Sequence, residues 1–143
     1  MRRLLVTLLV LALLLGGVYA ATMVVSVHHV PTDSMEPTVE AGSWVVVADR
    51  DGDDVEPGEV VVFHANGNES DTPVLHRTVT YVEEGEDWMS ELEGQGCDRA
   101  EYCPAPNDGY ITRGDDNLAY DQESGISQPV ETEWIEGVLV WST

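Results

Sequence analysis

The chain has 143 residues, which is enough for one domain of ordinary size. It carries 27 acidic side chains against six arginines and no lysine, so its formal net charge is −21. A surface of that sign repels phosphate groups, which excludes DNA and RNA as partners.

This acidity does not indicate disorder, because the apolar residues gather into short runs that are typical of strands. A folded domain under a shell of like charges suits concentrated salt, where counter-ions screen the repulsion. We therefore expect the protein to come from an extreme halophile.

The first predicted element is an apolar run from Leu4 to Val27. A helix of that length rises about 36 Å and can cross a hydrocarbon core of roughly 30 Å. Arg2 and Arg3 precede the run, and arginine on a short leading flank favours a cytoplasmic N-terminus.

The apolar run divides the chain into two expected parts. Residues 1–27 are predicted to be a cytoplasmic flank and a single-pass anchor in the cell membrane. Residues 28–143 are predicted to form an extracytoplasmic domain. The alternative is a cleaved secretory signal that ends near Val18-Tyr19-Ala20.

Beyond the anchor, short valine-rich runs alternate with turn signals, and helical periodicity is weak. Residues 83–108 and 118–132 are predicted to be loops, either of which has room for a short helix. The expected class is mainly β, with a single β domain on one N-terminal transmembrane helix. Five strands are predicted, over Ser43 to Ala48, Glu59 to Phe63, Val74 to Val82, Gly109 to Arg113 and Trp134 to Trp141.

The acidic loop Glu83 to Asp108 contains both cysteines, Cys97 and Cys103. Outside the cell these are expected to close a small disulfide loop, and the alternative is two free thiols. A zinc site is not expected, because two cysteines give too few ligands and no histidine lies near them. The loop itself is interpreted as either a halophilic elaboration or a lid.

Three polar segments contain residues that can carry chemistry. Ser34 lies in Pro31 to Thr38, a segment that suits neither helix nor strand and is predicted to be a shaped loop. His76 lies within the third predicted strand, Asp115 lies in a Gly-Asp-Asp-Asn turn signal, and Asp121 follows it. Taken singly, each segment has an ordinary structural interpretation, namely a solvated serine, a packed histidine and a surface turn.

Together, the segments resemble the boxes of the type I signal peptidases. They occur in the family order, the histidine and aspartate boxes resemble those of the archaeal and eukaryotic branch, and the resemblance spans roughly residues 4–140. One departure is Asp33, since the family commonly has glycine before the nucleophile. The matching segments are Asp33 to Thr38, Gly58 to Phe63, Leu75 to Arg77, and Gly114 to Asn117 with Asp121.

The resemblance implies a membrane-bound serine endopeptidase that removes signal peptides from secretory preproteins with small residues at the cleavage site. Its partners would be these preproteins and membrane lipid. The resemblance implies no metal and no organic cofactor. It identifies neither companion subunits nor the preferred preproteins.

The resemblance also assigns catalytic roles to named residues. Ser34 is expected to be the nucleophile and His76 the general base. The bacterial branch uses a lysine as the base, and this chain has none, whereas imidazole suits proton transfer near neutral pH. Asp121 is expected to orient the imidazole, with Asp115 as the alternative carboxylate.

Two further roles are expected beside the nucleophile. The Ser34 backbone N–H and the Thr32 hydroxyl are expected to stabilise the oxyanion. Met35 and Pro37 are expected to contact the substrate, with a place in the core as the alternative for Met35.

Besides a narrow role in processing pilin-like or other special precursors, two rival functions remain open at this stage. One is a different serine peptidase on a related β scaffold, such as a self-cleaving repressor, which the predicted anchor and the absence of lysine disfavour. The other is an anchored acidic β domain that acts as a non-catalytic binding or cell-surface module. The presence of all three catalytic residue types disfavours this second function.

The charge yields a prediction about salt. We expect the free energy of unfolding to fall as the salt concentration drops below roughly 1 M, because the carboxylates then repel one another with less screening. Thermal unfolding across a salt series measures this effect. A melting temperature that does not change with salt would contradict the halophilic interpretation.

Overall fold

A computed structural model of the protein describes residues 6–8, 10–12 and 24–143. Residues 6–8 and 10–12 are helical and exposed. Within the described ranges, no helix combines the length and the apolar character that crossing a membrane requires. The rest of the predicted anchor up to residue 23, with its arginine flank, lies outside these ranges.

Six strands form one antiparallel sheet with the spatial order β1-β2-β6-β3-β4-β5. The predicted mainly β class is therefore confirmed for the described domain. The strands are β1 (Val25–His29), β2 (Trp44–Ala48), β3 (Val60–Phe63), β4 (Val74–Val82), β5 (Gly109–Arg113) and β6 (Ile135–Ser142).

The predicted end of the anchor is wrong, because Val25–Val27 belong to β1 and not to a helix. β1 pairs with β2, and Val27 lies opposite Val46. A run of valines suits a pleated strand as well as a membrane helix, and composition alone does not separate the two. The pairing with β2 decides the conformation here.

The strand β3 lies at the centre of the domain, and all four of its residues are buried. Val60 and Val62 pack into one hydrophobic cluster, whereas Val61 and Phe63 pack into a second cluster on the other face. Burial on both faces explains why the sequence of β3 is continuously apolar rather than alternating.

Both predicted loops contain a short helix. The helix α1 (Trp88–Glu93) lies in the first loop, and α2 (Asp121–Ser124) lies in the second. Cys97 and Cys103 form a disulfide, so the two free thiols considered as an alternative are not present. Around α1 a third cluster forms, made of Val82, Trp88, Met89, Ala105, Ile111 and Tyr120.

A glycine allows β6 to approach β2 closely. A Cβ atom at Gly137 would lie 2.3 Å from the Ala48 carbonyl oxygen and 2.9 Å from Val47 Cγ1. The register of β6 also shifts against both of its neighbours, so this strand is bent as well as close-packed.

Gly137→Ala is therefore expected to destabilise the domain by about 1–3 kcal/mol, because the added methyl group must displace the β2 backbone. The melting temperature in concentrated salt should fall on the order of 10 °C. Gly96→Ala is the matched control, since a Cβ there meets nothing within 4 Å. Equal melting temperatures for the two variants would show that β2 and β6 adapt to the methyl group.

Candidate active site

Ser34 lies in the loop between β1 and β2, and both ends of this loop are fixed. Val30 N–H donates to the Ser43 carbonyl at 2.9 Å, and Gly42 N–H donates to the Val30 carbonyl at 2.7 Å. Inside the loop, the side chains of Met35 and Val39 are buried in the first cluster. The nucleophile candidate therefore lies on a rigid turn, although the segment has no regular secondary structure.

His76 lies on β4, where it pairs with Val61 of β3, and only 5% of it is exposed. Its Nε2 atom is 3.1 Å from Ser34 Oγ, and its Nδ1 atom is 2.7 Å from Asp121 Oδ2. With Asp121 ionised, Nδ1 carries the hydrogen and donates it to the carboxylate. Nε2 is then free to accept the hydrogen of the Ser34 hydroxyl group.

Asp121 is the first residue of α2 and has no exposed surface. Besides the imidazole, its Oδ2 atom accepts a hydrogen bond from Thr112 Oγ1 at 2.7 Å. Gln122 Nε2 donates in turn to Thr112 Oγ1 at 3.3 Å, while Gln122 Oε1 accepts from Thr112 N–H at 2.9 Å. The carboxylate is thus held by a buried network that reaches into β5.

Sequence reasoning missed Thr112 and Gln122. The available signal was weak, since Thr112 is a polar residue inside an apolar strand. Gln122 carried no signal, because its role depends on the packing of α2 against β5.

Asp115 does not occupy the place expected of an orienting carboxylate. Its two oxygens accept hydrogen bonds from Arg77, from Nε at 2.8 Å and from Nη2 at 2.6 Å, and Thr38 Oγ1 donates to it as well. The hydrogen bonds from Arg77 hold the pKa of the Asp115 carboxyl below its ordinary value. Its role is to tie β4 to the loop that carries Ser34.

The turn around Asp115 also contacts the backbone of the nucleophile candidate. Asp116 N–H donates to the Ser34 carbonyl at 2.9 Å. A Cβ atom at Gly114 would lie 2.5 Å from the same oxygen, so only glycine allows this approach. The Gly-Asp-Asp-Asn signal thus marks a turn that fixes the Ser34 backbone.

A cavity of about 510 Å³ opens beside Ser34 and His76. Thr32 is exposed and lines this cavity. Within residues 24–143 the Ser34 N–H donates no hydrogen bond, so this donor is free. The aliphatic part of the wall consists of Val30, Val45, Val62, Val74, Leu75 and Ile126, and polar residues that include His28, His29 and Asn117 line the rest.

Neither residue expected to contact the substrate lines this cavity. Met35 has no exposed surface and belongs to the first cluster, so the alternative of a core role is the correct one. Pro37 is exposed but lies outside the cavity wall. Adjacency to the nucleophile in sequence was misleading because the turn directs Met35 into the core.

Among the described residues, one group of side chains has the spacing of metal ligands, namely Asp87, Cys97 and Cys103. The two sulfurs are joined in the disulfide, so neither offers a thiolate.

The Asp115 pKa generates a prediction about stability and pH. The pKa lies below its ordinary value of 3.8, so the charge stabilises the fold above that pH. This stabilisation is lost as the pH falls through the folded-state pKa. Asp115→Asn should therefore unfold at lower urea concentration than the wild type near pH 7, and the difference should close in acid.

Asp116→Asn is the control for this series, because Asp116 is the exposed neighbour of Asp115 in the same turn. It should behave like the wild type throughout. A difference between wild type and Asp115→Asn that persists in acid would show that the charge is not the cause.

Comparison with known proteins bears on the family of the chain. Residues 1–88 match the family model described as signal peptidase, peptidase S26. This range includes Ser34 and His76 and ends before Asp121.

Individual relatives give the same indication. The chain is 33% identical over 90 residues to the signal peptidase complex catalytic subunit sec11 of Aspergillus oryzae, covering 63% of this chain and 44% of that protein. It is 30% identical over 92 residues to the SEC11 catalytic subunits of Paracoccidioides brasiliensis and Paracoccidioides lutzii, covering 63% of this chain and 45% of each relative. The matched stretch is thus less than half the length of these curated relatives. The family model matches more than half of the 143 residues of this chain, so the chain belongs to the signal peptidase family, peptidase S26.

Proposed function

We propose that this protein is a membrane-bound serine endopeptidase of the Ser-His-Asp branch, which removes N-terminal signal peptides from secreted preproteins. One observation carries the proposal. Ser34, His76 and Asp121 form a continuous hydrogen-bonded chain, and Ser34 and His76 line an open apolar cavity. Family membership and the names of the relatives supply the substrate class.

In the first half of the reaction, Ser34 Oγ attacks the carbonyl carbon of the scissile peptide bond while His76 Nε2 takes the hydroxyl proton. The negative charge that develops on the carbonyl oxygen is met by the free Ser34 N–H, with the Thr32 hydroxyl as a second donor. His76 then gives its proton to the leaving amine. The new N-terminus of the secreted protein departs, and the signal peptide stays attached to Ser34 as an ester.

In the second half, a water molecule gives its proton to His76 Nε2 and attacks the ester carbonyl. The proton then returns to Ser34 Oγ as the signal peptide leaves with a free carboxylate. Asp121 stabilises the imidazolium in both halves and keeps Nδ1 as the donor. Because Asp121 is fully buried, water does not screen its charge from the imidazolium.

The absence of lysine supports the choice of branch. A serine–lysine dyad requires a neutral amine near the nucleophile, and this chain has no lysine anywhere. His76 is the basic group in hydrogen-bond contact with Ser34. Proton transfer through an imidazole is therefore the mechanism that the residues support.

The cavity suits an apolar peptide with small side chains. Its volume of about 510 Å³ lies in the range of roughly 300–1,000 Å³ that is typical of ligand pockets. Its wall contains six aliphatic side chains and no acidic residue, lysine or arginine, which matches the apolar end of a signal peptide better than a charged segment.

The proposed location follows from the N-terminal sequence. The apolar run with Arg2 and Arg3 before it favours a single-pass anchor with the catalytic domain outside the cytoplasm. Strand β1 begins at Val25, and Ser34 follows the end of β1 by five residues, so the site would lie close to the bilayer where a signal peptide leaves it. The acidic surface fits a halophilic host.

The central test of this function is the cleavage of a preprotein by Ser34→Ala and His76→Ala variants. Each variant should lose on the order of 10⁴- to 10⁶-fold in turnover, because the groups act as a unit. Detergent-solubilised full-length protein is incubated in concentrated salt with a secretory preprotein, and the new N-terminus is sequenced. Ser70→Ala, an exposed serine in another loop, is the matched control and should cleave normally.

The outcomes of this experiment separate the alternatives. Cleavage after a small residue by the wild type and the control, but not by the two variants, supports the proposal. Full cleavage by Ser34→Ala would refute it. The fungal relatives are named as subunits of a complex. Wild-type protein that cleaves only after membrane extract is added would therefore point to companion subunits, and no cleavage under either condition would favour a binding module.

A further inference from the structure

The segment from residue 83 to residue 108 takes no part in the chemistry described so far, yet it is packed against the element that carries Asp121. It contains α1 and the disulfide between Cys97 and Cys103. We use the name disulfide loop for residues 97–103.

Two backbone hydrogen bonds join the disulfide loop to α2. Glu101 N–H donates to the Glu123 carbonyl at 3.2 Å, and Tyr102 N–H donates to the Gln122 carbonyl at 3.0 Å. These two acceptors belong to the residues that directly follow Asp121. The disulfide loop thus holds the backbone of the helix whose first side chain contacts His76.

A buried tryptophan strengthens this connection. Trp88 has no exposed surface, and its Nε1–H donates to the Tyr102 carbonyl at 2.9 Å. Its ring meets the ring of Tyr120 edge-on, with the centroids 5.5 Å apart. Tyr120 directly precedes Asp121, and its hydroxyl donates to Glu93 Oε1 at 2.8 Å. The segment therefore contacts the chain on both sides of Asp121.

The helix needs this external support because it is very short. α2 has four residues, and a single helical turn has little stability of its own in water. On one side Gln122 fixes it to Thr112 of β5. On the other side the disulfide loop supplies the backbone contacts, so removing the loop would remove both backbone hydrogen bonds that α2 accepts from this segment.

We propose that the disulfide loop is a positioning element that holds Asp121 against His76, so that full turnover requires the Cys97–Cys103 bond. The proposal rests on the peptidase function proposed above. A dithiol reductant would transfer two electrons and two protons to the disulfide, leaving two thiols and an oxidised reductant. The opened loop gains conformational freedom and holds α2 less firmly.

The first experiment compares the oxidised and the reduced full-length protein in the preprotein assay. Reduction should lower kcat on the order of 10- to 100-fold, because a misplacement of about 1 Å in a catalytic group costs up to that factor. The KM value should change less than kcat does, since the cavity wall contains no residue of the disulfide loop and only Ile126 from the segment that the loop supports. Cys97→Ser/Cys103→Ser protein should have the low kcat value in both states.

The chain makes this comparison clean, because it has only two cysteines. The reductant therefore has no other target in the protein, and its effect should be absent from the double serine variant. Asp98→Asn changes an exposed side chain within the same loop and leaves the disulfide intact. This variant should keep the kcat value of the wild type.

A double-mutant cycle separates positioning from general destabilisation. If the loop acts through Asp121, reduction should have no further effect on kcat in Asp121→Asn protein, in which the carboxylate is already lost. Equal fold losses in the wild-type and Asp121→Asn backgrounds would show that the loop acts elsewhere, and this result would overturn the proposal.

Amide hydrogen exchange gives a readout that does not depend on activity. Reduction should speed exchange at residues 121–126 of α2 and its C-terminal turn more than at β2 and β6, which β3 separates from β4 and β5, the strands that flank the segment with the disulfide. Unchanged exchange at α2 would overturn the proposal even for a protein that fails to cleave. Unchanged kcat on reduction would overturn it and leave the proposed peptidase function intact.

Discussion

The imidazole of His76 is hydrogen-bonded at both ring nitrogens, to Ser34 on one side and to Asp121 on the other. These partners lie 42 and 45 residues away along the chain, so no local structure brings them together. The strand β4 fixes the imidazole between them through its pairing with β3 and β5. The sheet thus holds the buried His76 side chain at a fixed position between the two segments that carry Ser34 and Asp121.

Two of the few arginines stabilise the segments around the candidate site. Four arginines lie in the described residues after the apolar run, in a chain with a net charge of −21. Arg77 binds Asp115 with two of its nitrogens and the Gly58 carbonyl with a third, and Arg113 lies 4.9 Å from the ring centre of Tyr120. Both contacts stabilise segments that touch the proposed catalytic residues. In concentrated salt such partly buried pairs are screened less than the exposed carboxylates are.

The sequence predicted the strands better than it predicted the contacts that support the site residues. Runs of β-branched and aromatic residues revealed five of the six strands, because buried strands favour these residue types. β1 was missed because the same composition continues the apolar run before it. Ser34, His76 and Asp121 were expected as site residues through the resemblance. The contacts of Asp115 with Arg77 and of Asp121 with Thr112 were not predictable, since they depend on the Arg77 side chain and on the packing of α2 against β5.

The direction of a side chain was also not predictable from the residues beside it in the sequence. Met35 follows the nucleophile candidate directly, yet the turn buries it beneath the site in the first cluster. Thr112 gave only a weak signal, although it joins Asp121 to Gln122 through one hydroxyl group. In both cases the direction of the side chain comes from tertiary packing, which a linear pattern does not contain.

The carboxylate of the candidate site lies outside the part of the chain that matches the family model. The matched range ends at residue 88, where α1 begins, and it includes the nucleophile and base candidates but not Asp121. The carboxylate is supplied by the rest of the chain, through a four-residue helix held between β5 and the disulfide loop. A hydroxyl and an imidazole in contact suffice for proton transfer, but an imidazolium buried beside apolar walls is costly without a counter-charge. In the proposed mechanism, the second half of the domain therefore supplies the counter-charge that the nucleophile and base candidates of the first half require.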